Sequence, residues 1–224
     1  MTALLAAEEL GRFAPEVNRW LLDGVSIEVR AGERLVIVGP SGSGKTLLLR
    51  ALAYLDPWDR GTLLWKGLEL TRKNVPQFRS QTIYLHQRPA LQEGTVLENL
   101  QFPFSLSVHQ TRQFAATRVE YWLESLQRPH EFLAKQSRDL SGGEAQLVAL
   151  LRAMQLDPAV LLLDEPTASL DPEMAEAVES CVVRWHHENS AQRAVVWVSH
   201  NREQAERIAD RRVMVEAGRI VQEI

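Results

Sequence analysis

A single cysteine, Cys181, stands in the whole chain, so no internal disulfide can staple it. The residue falls in a helical pattern and reads as a buried structural thiol. No run approaches the roughly 20 consecutive apolar residues that carry a helix across a bilayer. The opening residues, Met1-Thr2-Ala3-Leu4-Leu5-Ala6-Ala7-Glu8-Glu9, lack a basic leader and turn acidic too early for a signal peptide. The expectation is a cytoplasmic protein that reaches a membrane only by docking to another chain. Neither sign of charge is in large excess, and a formal net charge of -4 argues against a general nucleic-acid binder. Internal repeats and low-complexity tracts are absent as well.

What remains is an ordinary globular composition. The 224 residues are 45% hydrophobic and 24% charged, enough to bury a sizeable core. Up to about Gly67 the chain shows short apolar runs broken by turns: Val25 to Val29, Leu35 to Val38, and Thr62 to Trp65, with Ala31-Gly32-Glu33 as a turn. From about Arg88 to Met154 the pattern turns helical. It is clearest over Thr111 to Leu126, where Phe114, Val119, Trp122, Leu123 and Leu126 can share a face. Strand patterns return at Val160 to Leu163, Ala194 to Val198 and Arg212 to Val215, alternating with helical segments. That alternation predicts an α/β fold with a parallel sheet covered on both faces.

Between the apolar run Leu35-Val36-Ile37-Val38 and the helical stretch Leu47 to Leu55 lies Gly39-Pro40-Ser41-Gly42-Ser43-Gly44-Lys45-Thr46. This is the full G-x-x-x-x-G-K-[ST] phosphate loop in its strand–loop–helix setting. The glycines let successive amides turn inward on a polyphosphate, and the helix that follows aims its positive end at the same point. Lys45 can then reach the β- and γ-phosphates, and the Thr46 hydroxyl can ligate magnesium. The chemistry predicted is the binding of a nucleoside triphosphate. Further along, the apolar strand Val160-Leu161-Leu162-Leu163 ends in Asp164-Glu165. Open α/β sheets bind ligands at that carboxyl edge. Asp164 is placed to hold magnesium, directly or through water, and Glu165 to orient and deprotonate an attacking water. Alone, such a pair would often be a solvated turn; after a phosphate loop it reads as catalytic.

A third motif, Leu140-Ser141-Gly142-Gly143-Glu144, precedes a helical run from Ala145 to Met154. With the phosphate loop and the Asp-Glu strand it closely resembles the signature of the ATP-binding cassette (ABC) ATPases. Further matches follow in that family's order. Gln87, after the strand Thr82 to His86, is similar to the Q-loop glutamine. Ser169-Leu170-Asp171 is similar to the D-loop, and His200 after Val198-Ser199 to the switch histidine. The resemblance covers essentially the whole chain. Each match also has a plain structural reading. Ser141 and Glu144 form an S-x-x-E capping box, and Asp171-Pro172 is a good N-cap followed by proline at the first helical position. Both readings hold for the signature, since one helix start can cap itself and present Ser141 to a γ-phosphate. The resemblance implies a P-loop NTPase core with a mixed, mostly parallel sheet, an antiparallel β subdomain and a helical subdomain. Residues 1–224 would be a single ABC ATPase domain, with 1–87 and 155–224 as core plus β subdomain and 88–154 as the helical part.

Function follows by the same resemblance. Two such domains pair head to tail, and each ATP lies between one chain's phosphate loop and the partner's signature. The chain would thus act as an ATP-hydrolysing homodimer, or pair with a homologous chain, with ATP and Mg2+ as its ligands. Cofactor contacts fall on the whole run Gly39 to Thr46, on Leu47, on Ser141, Gly142, Gly143 and Glu144, and on Asp171. Thr46, Gln87 and Asp164 would face magnesium. Glu165, His200 and Gln87 would serve hydrolysis, with Gln87 sensing the attacking water and His200 touching the γ-phosphate. Phe13 fits the aromatic that stacks on adenine, and Trp20 is the alternative.

Four positions depart from the family pattern. Leu47 stands where Ser or Thr usually touches the α-phosphate, Glu144 where Gln is commonest, Leu147 for a frequent Arg, and Asn201 for Asp. Glu144 is expected to add a negative charge near the triphosphate. Without a long C-terminal regulatory domain, a coiled-coil insertion or a second cassette, the chain resembles a transporter subunit whose membrane permease is a separate chain. The stretch Gln87 to Pro103 is similar to bacterial iron-exporter ATPases. Importers of phosphate or amino acids and lipoprotein-release systems stay open, as does a soluble assembly ATPase without a transporter. A permease would dock on the helical stretch from Gln87 to Phe104.

Overall fold

The computed structural model describes residues 3–224; Met1 and Thr2, which open the stretch read above for a leader, lie outside them. In chain order the elements begin β1 (Ala3–Ala14), β2 (Arg19–Arg30), β3 (Arg34–Val38), α1 (Lys45–Leu52), β4 (Arg60–Trp65) and β5 (Leu68–Glu69). There follow α2 (Val75–Gln81), β6 (Thr82–Leu85), α3 (Val96–Gln101), α4 (Ala116–Ser125) and α5 (Gly142–Met154). The chain closes with β7 (Val160–Asp164), α6 (Pro172–Glu188), β8 (Ala194–Val198), α7 (Arg202–Ile208), β9 (Arg211–Glu216) and β10 (Arg219–Glu223). Among the described residues no helix is long and apolar enough to cross a membrane.

The chain divides into two compact units. One takes the chain up to Tyr84 together with Ala159–Glu165 and Asn189–Ile224. It holds two sheets. A six-stranded sheet has the order β10-β9-β3-β8-β7-β6, in which β3 runs parallel to β8 and β9, β7 runs parallel to β8, and β10 is antiparallel to β9. The central strands β7 and β8 are buried at every residue, which is why they read as unbroken apolar runs. A second, antiparallel sheet has the order β2-β1-β4-β5. Its strands β1 and β2 meet through the turn Pro15 to Asn18, where Asn18 takes a left-handed conformation at φ 48°. Leu5, Leu10, Leu22 and Val29 from this sheet share one hydrophobic core with Leu35 and Ile37 of β3, Leu48 and Leu52 of α1, and Val160 and Leu162 of β7.

The other unit takes Leu85–Pro158 and Pro166–Glu188. The sequence reading placed 166–188 with the core, whereas here α6 groups with the helices. The reason is side-chain packing: Arg184 of α6 donates to the Tyr121 hydroxyl of α4 at 3.1 Å, and its guanidinium lies 5.7 Å from that ring. Cys181 on the same helix is buried, and its thiol is pushed up to about 12 by desolvation. α5 is the unit's central rod, with Leu147, Val148, Leu150, Leu151 and Met154 all buried. Leu147, one of the four departures, is thus a core residue. α4 begins five residues later than the periodicity suggested. Val119, Trp122, Leu123 and Leu126 are buried as expected, but Phe114 precedes the helix and packs edge-on against Phe104, with centroids 5.9 Å apart.

Candidate functional site

The phosphate loop leaves β3 at Gly39 and enters α1 at Lys45. Gly39 has φ 149°, and a Cβ there would stand 2.1 Å from the Val215 carbonyl oxygen of β9, so only glycine lets the loop pass this strand. The Ser43 carbonyl accepts from the Gly218 amide at 2.8 Å, which pins the loop to the β9–β10 turn. Lys45 is buried and donates to the Gly39 and Pro40 carbonyls, both at 2.8 Å. Burial pulls its ammonium below the ordinary lysine range, and the Glu165 and Asp164 carboxylates oppose that pull. The Ser43 hydroxyl is buried with no hydrogen-bond partner. A buried orphan hydroxyl beside a glycine nest and a lysine fits an anionic ligand with acceptor oxygens. Gly42 and Gly44 also take positive φ, while Ser41 and Pro40 are exposed and Leu47 packs on the core rather than toward the loop.

Facing the loop, β7 delivers Asp164, which is 2% exposed. Its Oδ1 accepts from the Thr46 hydroxyl at 3.1 Å and its Oδ2 from the Tyr84 hydroxyl at 2.9 Å. Burial, joined by Asp164, pushes the Tyr84 phenol well above its ordinary value, so it remains a proton donor. A hydroxyl and a carboxylate this close suit a hard cation completed by phosphate oxygens and water. Among the described residues no group of three or more His, Cys, Asp or Glu could hold a metal by protein ligands alone.

Glu165 follows in a left-handed conformation at φ 47°, with its amide donating to the Val198 carbonyl at 3.2 Å. A non-glycine residue held there carries roughly 1–2 kcal/mol of backbone strain. The turn aims its carboxylate so that Oε2 lies 3.4 Å from Nδ1 of His200, just past β8. Lys45, Thr46, Asp164, Glu165 and His200 therefore gather at one sheet edge. Tyr84 was not anticipated; its place inside the expected strand Thr82 to His86 was the only sequence signal.

At the aromatic candidates, Phe13 and Trp20 lie edge to face with centroids 5.3 Å apart. The Arg60 guanidinium sits 4.3 Å over the Trp20 ring. One Trp20 face is thus already covered, while the Phe13 backbone is anchored by its amide donating to Asp59 at 2.7 Å.

The remaining candidates belong to the helical unit. Gln87 lies in an exposed bend after β6. Ser141 caps α5: its hydroxyl accepts from the Glu144 amide at 3.2 Å, and the Glu144 carboxylate accepts from the Ser141 amide at 2.9 Å. Gly142 has open space around it, whereas a Cβ on Gly143 would come within 2.8 Å of Leu170. The signature and the Ser169-Leu170-Asp171 segment are therefore in contact. Asp171 caps α6, accepting from the Met174 amide at 2.9 Å. Glu144 departs from expectation. Its carboxylate also accepts from the Lys135 ammonium at 2.8 Å and lies 4.0 Å from Arg128, so its charge is paired rather than bare. Burial alone would raise its carboxyl, but Lys135 and the Ser141 amide together hold it below the usual range.

Comparison with known proteins completes the picture. Residues 22–168 match the family model described as ABC transporter. The chain is 35% identical over 201 residues to the probable iron export ATP-binding protein FetA of Escherichia coli (strain K12), covering 90% of this chain and 86% of that protein. It is 34% identical over 200 residues to the tungstate uptake system ATP-binding protein TupC of Peptoclostridium acidaminophilum, covering 89% of each. Its fold matches the dimeric structure of MJ0796, a bacterial ABC transporter cassette, with a TM-score of 0.86 and 25% identity over 98% of this chain and 97% of that one.

Proposed function

The chain belongs to the ABC transporter family, and from that membership we propose how its residues share the work of an ATP-driven transport subunit. It is the ATP-binding, ATP-hydrolysing part of such a system. The observation that carries the residue roles is the gathering of Lys45, Thr46, Asp164, Glu165 and His200 at one sheet edge.

On binding ATP, Lys45 exchanges its two loop carbonyls for β- and γ-phosphate oxygens, and the amides of Gly39 to Thr46 and the Ser43 hydroxyl cradle the rest. Phe13 stacks on the adenine, because Trp20 already carries Arg60 on its ring. Thr46 and Asp164 would hold a magnesium ion, with Tyr84 fixing the Asp164 carboxylate, and Gln87 would serve as the residue that senses the ion and the water. When bound, the ion neutralises phosphate charge and aligns the reacting oxygens. Glu165 accepts the proton of the attacking water, and His200 contacts the γ-phosphate and steadies its developing charge.

The signature Ser141 to Glu144 and Asp171 complete the site of a second copy, in a head-to-tail dimer. A separate membrane permease carries the solute, docks beside α3 and holds the protein at the inner face of the cell membrane. Iron export is one system to test, but relatives named for iron export and for tungstate uptake match this chain almost equally. Solute and direction therefore belong to the permease.

Phosphate release measured across a range of protein concentrations tests the reading. Specific activity should rise with protein concentration, as two chains build each site, and vanish when magnesium is chelated. Activity per chain that stays flat from nanomolar to micromolar protein would refute the shared site.

A further inference from the structure

At the start of α5 one carboxylate faces two cations. Oε2 of Glu144 accepts from both Lys135 at 2.8 Å and the Ser141 amide at 2.9 Å, and its Oε1 lies 4.0 Å from Arg128. Lys135 is not a loosely placed surface lysine, since its carbonyl accepts from the Val96 amide at 2.9 Å and so fixes the backbone beside α3. Arg128 is likewise held, 5.9 Å from the ring of the buried Phe132. Only 15% of the Glu144 side chain is exposed, against 37% for Lys135 and 28% for Arg128, so the carboxylate lies inside the pair of cations. The local sum is one negative and two positive charges. A helix start carrying Glu144 alone would repel a triphosphate, whereas this one carries net positive charge and adds the helix's own positive end.

We propose that Lys135, assisted by Arg128, is a positioning residue for ATP in the shared site, because it neutralises Glu144 and turns that carboxylate away from the triphosphate and back onto the helix cap. The inference rests on the head-to-tail reading, in which the start of α5 meets the ATP held by the other chain. Lys135 touches no nucleotide itself. It acts by deciding whether the signature presents a bare or a compensated carboxylate. At an effective dielectric of about 20, one uncompensated charge roughly 8–10 Å from a polyanion is sufficient to change affinity by tenfold or more.

The experiment is a double-mutant cycle on the full chain, read as the ATP KM and kcat of magnesium-dependent hydrolysis together with the melting temperature. Lys135→Met, which keeps the aliphatic stem, should raise KM about tenfold with a smaller change in kcat. Lys135→Arg should restore most of the loss. In a Glu144→Gln background the same Lys135→Met change should leave KM within about twofold of the Glu144→Gln value, since no carboxylate remains to be compensated. Arg128→Gln gives a second probe if Lys135→Met folds poorly; its effect on KM should be smaller and should vanish in the same background. Equal KM effects in both backgrounds, or coupling seen in the melting temperature and not in KM, would overturn the proposal and leave the pair a helix-cap contact. Ser141→Arg, run alongside, separates the premise from the inference. If it leaves activity intact, the signature is not part of the site and both fail. If it abolishes activity while Lys135→Met leaves KM unchanged, the inference alone fails.

Discussion

The Glu165 carboxylate is felt by the Lys45 ammonium, yet the two answer to different physics. Lys45 supplies the main fixed positive charge inside a glycine nest, and its two carbonyl contacts show an ammonium with enough reach to be handed to phosphate oxygens. Lys45→Ala should weaken ATP binding by roughly 100-fold or more, the scale of two lost charge-assisted hydrogen bonds. Calorimetry with magnesium present would show it, and micromolar affinity in the variant would reassign the lysine. Glu165→Gln keeps shape and hydrogen bonding while removing basicity. It should bind ATP but hydrolyse it roughly 10²–10⁴-fold more slowly, the range for a lost general base, and collect as an ATP-bound dimer on size exclusion. Turnover near that of the parent chain would move the role, with His200 the first alternative. The glycines, Lys45, Thr46, Asp164 and Glu165 were legible because each needs a fixed residue type at a fixed spacing. Tyr84, Lys135 and Arg128 were not: Tyr84 meets Asp164 80 residues on, Lys135 and Arg128 meet Glu144 at no motif spacing, and a lone Tyr, Lys or Arg carries no spacing to read.

Elements showed the same divide. The apolar strands β3, β7 and β8 announce themselves because they are buried on both faces. β1 hid itself: its 12 residues include four alanines, and its pairing shifts register between Ala7 and Leu10 and again near Arg12, which breaks the alternation that marks a half-buried strand. The helical stretch from Gln87 to Phe104 turned out to be a single short helix, α3, followed by a tight turn. Asn99 on α3, 1% exposed, exchanges hydrogen bonds of 2.8 and 2.9 Å with the Gln92 backbone and so fixes the loop before it. Just beyond, Phe102, Leu106 and Val108 are each more than 40% exposed, while Phe104 packs on Phe114. A charge at Phe102 should therefore lower permease-stimulated hydrolysis several-fold more than basal hydrolysis, since it removes apolar contact with a partner and little from the core. Equal loss of both activities, together with a lower melting temperature, would show that Phe102 belongs to the packing of its own unit.

For the whole molecule, the proposed head-to-tail dimer makes each chain supply two different halves of a site. Lys45→Ala spoils the phosphate loop and leaves the signature, and Ser141→Arg does the reverse by placing bulk where a γ-phosphate would lie. Each variant alone should be nearly inactive. Mixed, they form dimers with one intact and one doubly damaged site, so hydrolysis should reappear, grow with protein concentration and stay well below that of the parent chain. ATP-driven mixed dimers must be detected alongside, because sites that fire only together would show little recovery. Mixed dimers that bind ATP and gain nothing at any ratio would count against shared sites.

The left-handed turn at Glu165 sets turnover against durability. Glycine would relax that backbone and also remove a carboxylate from beside Asp164. Glu165→Gly should thus melt higher, by about 2–4 °C for the roughly 1 kcal/mol released in a domain of this size, while turning over almost no ATP. A melting temperature at or below that of the parent chain would mean that the His200 contact and the side chain's packing outweigh the relief. With the expected rise, a chain selected only for thermal endurance would drift away from glutamate at this position. In the proposed role, the strain at Glu165 is stability given up for hydrolysis, which would place the protein below its own stability optimum.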